Sequence, residues 1–105
     1  MAQFDIFRNA DPASKRAMPF LLDVQSDLLV SLATRVVVPL SAHGGDALPA
    51  MQRLMPVFEV EGRKMVLATP QIAGVPHSVL GARVASLAGR RHEIIAALDV
   101  LISGV

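Results

Sequence analysis

The side chains of this 105-residue chain that could act as ligands, acids, bases or phosphate clamps are few. They are the histidines His43, His77 and His92, the aspartates Asp23 and Asp27, and the arginines Arg35, Arg83, Arg90 and Arg91. The histidines are expected in a loop, just after a proline and on a helix, at separations that match no zinc motif, so they read as surface histidines. Asp23 and Asp27 could form a carboxylate pair for acid and base work. With Val24-Gln25-Ser26 between them at a strand end, they fit turn hydrogen bonds better. Arg90-Arg91, with Arg83 near, could hold a phosphate, but His92 and Glu93 follow directly and a solvated helix face accounts for them. Gly44-Gly45 lacks the further glycines, the lysine and the strand-to-helix setting of a phosphate loop. Met51 and Met55 share a face if that stretch is helical, which suits adaptable packing.

The rest of the composition narrows the chemistry further. There is no cysteine, so disulfides, thiolate metal sites and cysteine nucleophiles are excluded, and a reducing cytoplasm is compatible. Hydrophobic residues make up 52% and charged residues 18%, with a formal net charge of +1. That balance argues for a folded domain and offers no electrostatic footprint for bulk nucleic-acid binding. Asp5 and Arg8 interrupt what would have to be the apolar core of a secretory peptide. The longest uncharged run, Met65 to Ala82, carries Pro70, Gly74, Pro76 and Gly81, which break the continuous helix that a membrane span needs. We therefore expect one soluble domain over residues 1–105, cytoplasmic, with no membrane contact.

The elements that must position these residues are mostly strands. Alternation through Ala2 to Arg8 predicts a half-buried strand, and Asn9 to Arg16, with Asp11-Pro12, a loop. Phe20 to Gln25 and Arg35 to Leu40 read as buried strands, the first continuing through Leu28 and Leu29 after Ser26-Asp27. Ser41 to Pro49 is a glycine-rich reversal. Val57 to Val60 and Lys64 to Thr69 flank Glu61-Gly62-Arg63 as a tight hairpin, and Pro70 and Pro76 bracket another extended piece. Near Ser86 or a few residues earlier a terminal helix begins, with one apolar row of Leu87, Ile94, Leu98, Leu101 and Val105 beside a second of Ala88, Ile95 and Ile102. A helix apolar on so broad a front suggests a partner surface. Short β runs, close turns and one terminal helix predict a mainly β fold, a small antiparallel barrel or curled sheet with the helix packed on it.

Three strings carry a resemblance. Phe20-Leu21-Leu22-Asp23-Val24-Gln25-Ser26-Asp27-Leu28-Leu29, Arg35-Val36-Val37-Val38-Pro39-Leu40 and Val75-Pro76-His77-Ser78-Val79-Leu80-Gly81 resemble, in order and spacing, the CcdB toxins of bacterial type II toxin–antitoxin modules. The likeness extends from Gln3-Phe4 to Ser103-Gly104-Val105 and is weakest over Asn9 to Ala17.

The resemblance implies a homodimer of SH3-like antiparallel barrels, each with a small additional sheet and a C-terminal helix near the twofold axis. It implies a toxin that is not an enzyme and uses no cofactor or metal. Such a toxin binds the A subunit of DNA gyrase, traps gyrase on cleaved DNA, and is stripped off by a cognate antitoxin with a disordered C-terminal tail. DNA would be met only through the antitoxin or gyrase. By correspondence, gyrase contacts fall on Leu28, Leu29, Asp99, Ile102, Ser103, Gly104 and Val105. The dimer would close on Ile94, Leu98 and Leu101, and the antitoxin would lie along the additional sheet around Ser41 to Leu54 and adjoining strand edges.

Ser103 departs from the pattern, because the well-known members carry a tryptophan there. Truncating a central aromatic anchor costs about 2 to 4 kcal/mol of binding. Two alternatives follow. One is a degenerate toxin that engages antitoxin but not gyrase. The other is a barrel-fold endoribonuclease toxin, for which Arg35, Asp27 and His43 are the only nominees as cation, acid and base.

Overall fold

In a computed structural model, which describes residues 2–42 and 49–104, side-chain alternation and strand pairing agree on where the core lies. β1 (Asp5–Asn9), β2 (Phe20–Asp23) and β3 (Thr34–Ala42) pair antiparallel in sequence order, with Ile6 opposite Leu22 and Leu22 opposite Val38. Residues directly opposite share a face of the sheet. Ile6, Phe20, Leu22, Val38 and Leu40 therefore line one side, where all are buried. Phe7, Leu21 and Val37 occupy the other side and are buried as well.

β4 (Val57–Val60) and β5 (Arg63–Leu67) form the expected hairpin, which adds Phe58, Val60, Met65 and Leu67 to the core. Its turn is Glu61-Gly62, with φ of 52° and 76°. Two successive positive φ values give the mirror-image turn that matches strand twist, and glycine at the second place removes the Cβ penalty. β5 pairs with the far end of β3, Leu40 facing Leu67. After a 3-10 turn at Thr69–Gln71 the chain returns to the same edge as β6 (Ala73–Pro76), facing Thr34 to Val37. The additional sheet expected around Ser41 to Leu54 is not placed there: Ser41 and Ala42 end β3, residues 49–54 form a short helix and residues 43–48 lie outside the described residues, whereas the β4–β5 hairpin is continuous with the main sheet through β3.

β7 (Leu80–Ser86) pairs with β1 and completes a seven-stranded antiparallel sheet. Curled around its core as a half-barrel, this sheet is consistent with an SH3-like barrel. The sequence pattern misses β7, because Gly81, Ala82 and Ala85 have weak strand preference and only pairing with β1 selects the extended form. Gly81 is required by a close approach, since a Cβ there would lie 3.0 Å from the Arg8 carbonyl oxygen.

The terminal helix, α2 (Arg91–Ser103), starts five residues beyond the expected Ser86. A 3-10 turn over Ala88–Arg90 separates it from β7, so Leu87 and Ala88 are not part of the helical rows. Ile94 and Ala97 on its inner face are fully buried, and Ile95 and Leu98 pack beside them. Burying a side chain of that size stabilises by about 2 kcal/mol. The short α1 (Pro49–Leu54) packs on α2. No described helix is long and apolar enough to cross a membrane.

Candidate partner-binding site

Leu28 and Leu29 do not continue β2. Asp23 ends the strand: its carboxylate accepts the Gln25 N–H at 3.0 Å, the Asx turn that aspartate favours. Ser26 then caps a 3-10 turn, Asp27–Leu29, by accepting the Leu28 N–H at 3.2 Å. Asp27 accepts the backbone N–H of Gln3 at 2.8 Å, tying the turn to the chain start. The turn is held from inside by Gln25, which is buried, donates to the Leu29 carbonyl at 2.8 Å and accepts the Val36 N–H at 3.0 Å. A rigidly held turn therefore presents Leu28 at 92% exposure, with Leu29, Val30 and Leu32 also exposed. So contiguous an apolar surface is unusual on a monomer and suits a partner.

The second exposed apolar group ends α2. Ile102 is 82% exposed. Ser103 is exposed too, and its hydroxyl donates to the Asp99 carbonyl at 2.8 Å, one turn back. Gly104 terminates the helix in the left-handed conformation, φ 78°, and its N–H reaches the Val100 carbonyl at 3.1 Å. That conformation admits glycine without strain, so the end of the helix is fixed. Val105 lies outside the described residues.

Of the three residues expected at a dimer interface, Ile94 has no surface to offer, because its own chain encloses it completely. The intrachain core requires the innermost face of the helix. Leu98 and Leu101, half-buried, retain area for a partner.

The polar candidates resolve differently. Asp23 and Arg35 meet across β2 and β3 with both side chains wholly enclosed, Arg35 Nε donating to Asp23 Oδ2 at 3.0 Å and Nη2 to the same oxygen. Burial raises the pKa of Asp23 above the usual carboxylate value, while the Arg35 guanidinium and the Gln25 N–H oppose that rise. Neither Asp23 nor Arg35 reaches solvent. Asp27 is exposed and separate, bonded to Gln3. The Asp23–Arg35 pair was not legible in the sequence, where the only signal is a charge at the edge of each apolar run.

Arg90 and Arg91 are not a phosphate clamp. Arg90 lies 4.9 Å from the Phe58 ring centroid and bonds to Glu93 at 2.7 Å, and Arg91 lies 5.8 Å from the Phe4 ring. They fasten the start of α2 to core aromatics. His77 and His92 are exposed and apart, and His43 lies outside the described residues. Among the described residues no cluster of three or more possible ligands could hold a metal.

The arrangement is thus a rigid curled sheet with apolar groups exposed on a turn and at a helix end, and with the buried Asp23 and Arg35 charges bonded to each other. The family model described as CcdB protein matches residues 3–104. The chain belongs to the CcdB family. The match spans β1 to the helix end, and membership places the protein among the toxins of toxin–antitoxin systems.

Proposed function

We propose that this CcdB-family protein is a homodimeric type II toxin that binds the DNA gyrase A subunit, holds gyrase on cleaved DNA and is neutralised by a cognate antitoxin. The observation that carries the reading is the exposure of Leu28 and Ile102, 92% and 82%, in a chain matched to the family over residues 3–104. These are two of the positions that the resemblance links to gyrase. Twofold pairing through Leu98 and Leu101 would present two copies of each group. Wedging them into a larger dimeric enzyme calls for rigidity and apolar anchors, not for an acid or base. The toxin itself catalyses nothing in this reading. The antitoxin tail, disordered when alone, gains affinity by lying along strand edges such as β4.

Ser103 supports one second reading, a degenerate toxin that keeps antitoxin binding. Its hydroxyl folds back on Asp99, so it supplies neither the area nor the direction of an aromatic anchor. The endoribonuclease reading is weakened, because Arg35 is buried against Asp23 and cannot reach a phosphate.

The deciding experiment adds purified protein to supercoiling reactions with the host gyrase. Inhibition with accumulation of cleaved DNA supports the gyrase reading. Unaffected gyrase together with tight antitoxin binding supports the degenerate toxin, and RNA cleavage with gyrase unaffected would revive the enzyme.

A further inference from the structure

Beyond Asp23 the ladder between β2 and β3 changes its partners. Val24 donates to the Val36 carbonyl at 3.0 Å, and in a regular antiparallel pair the Val36 N–H would return the bond to the Val24 carbonyl. Here it does not. The Val36 N–H goes to Gln25 Oε1 at 3.0 Å, and the Val24 carbonyl accepts Gln3 Nε2 at 3.2 Å. Two side-chain amides thus stand in for one backbone rung, so the main chain leaves the sheet after Val24 without orphaning either group. Of the two, Gln25 reaches further. It is buried, its Oε1 is held on β3, and its Nε2 donates to the Leu29 carbonyl at 2.8 Å, so one planar amide ties the sheet to the last residue of the 3-10 turn. The same Leu29 carbonyl accepts the Leu32 N–H at 3.2 Å, and the Leu29 N–H reaches the Ser26 carbonyl at 3.0 Å. Leu28 and Leu29 themselves are 92% and 48% exposed, with little packing of their own to order them, so the backbone beneath must do so.

We propose that Gln25 is a positioning residue for partner binding, its amide holding the Leu28–Leu29 turn in the binding-competent form before the partner arrives; this rests on the gyrase reading above. Gln25 touches no partner, since its own chain encloses it. Its effect is on the population of the turn. A partner takes up only the competent fraction, and apparent affinity falls in proportion to that fraction. A turn competent about one-tenth of the time would bind about tenfold more weakly with every contact unchanged. The position calls for glutamine because one side chain must accept from Val36 and donate to Leu29. Glutamate keeps the acceptor without the donor, methionine keeps the length with neither, and asparagine is one methylene too short to span the two.

The test measures binding of the full chain to immobilised host gyrase A subunit, together with hydrogen exchange of the Leu29 and Leu32 amides in the free protein. Gln25→Glu should speed exchange of both amides at least about tenfold and weaken gyrase binding about tenfold, chiefly through slower association. Gln25→Met, which adds no buried charge, should show the same two changes. Gly81→Ala, a strained substitution on β7 away from the turn, should lower the unfolding midpoint yet leave both amides and gyrase binding as in wild type. Wild type that does not bind gyrase A would overturn the gyrase reading and this assignment with it. If wild type binds, then undiminished binding by both Gln25 variants, unchanged exchange of the turn amides, or an equal loss of binding in Gly81→Ala would overturn the assignment alone.

Discussion

Arg35 on β3 donates its Nε to Asp23 Oδ2 on β2 at 3.0 Å, diagonally across the strand pair, with neither side chain touching solvent. The Asp23 carboxylate also begins the turn that carries Leu28, so the buried charge and the exposed apolar tip are joined by only a few residues.

Removing one partner of this pair leaves a buried charge without its counterion. Asp23→Asn or Arg35→Met should each lower unfolding stability by about 3 to 5 kcal/mol. The double variant Asp23→Asn with Arg35→Met should lose less than the sum, which denaturant unfolding in a double-mutant cycle measures. Additive losses would show that the two groups are not coupled.

Two glycines separate steric demand from mere occurrence. Gly81→Ala would put a methyl 3.0 Å from the Arg8 carbonyl oxygen and 3.3 Å from its Cβ, and should destabilise by about 1 to 3 kcal/mol. Gly89→Ala meets nothing within 4 Å and should change stability by less than about 0.5 kcal/mol. Midpoints of thermal and urea unfolding give both values.

The Arg90–Glu93 pair at the start of α2 has a defined pH signature. Hydrogen bonding to Arg90 lowers the pKa of Glu93 from its usual 4.5. A lowered folded-state value means that the contribution is complete above about 4.5 and is lost as pH falls through the folded value. Glu93→Gln should therefore cost about 0.5 kcal/mol at neutral pH, as expected of an exposed pair, and nothing in strong acid. A stability gap between wild type and variant that persists unchanged at low pH would rule out the pair as its source.

The exposed apolar groups can be altered with little effect on the fold. Leu28→Asp and Ile102→Asp, at side chains 92% and 82% exposed, should shift stability by less than about 0.5 kcal/mol. In the gyrase reading each should sharply reduce inhibition of supercoiling. Ser103→Trp, at an exposed helix end, should strengthen inhibition by the equivalent of about 2 to 4 kcal/mol. Undiminished inhibition by both aspartate variants would move the contact elsewhere on the molecule.

The sequence by itself determined the mainly β class, the Glu61-Gly62 hairpin and the helical run that ends the chain. Each depends on local chemistry: the β-favouring composition of Val57 to Val60, a glycine able to take positive φ, and spacing of apolar residues near Ile94. The family was legible too, because its signature is an order of short strings. Tertiary structure alone decided that Leu80 to Ser86 is a strand, since those weak formers become extended only by pairing with β1. It also decided that Ile94 belongs to the chain's own core while Leu28 projects into solvent. Apolar character fixes how strongly a side chain avoids water, but whether its own chain or a partner covers it depends on where distant strands bring the surrounding surface.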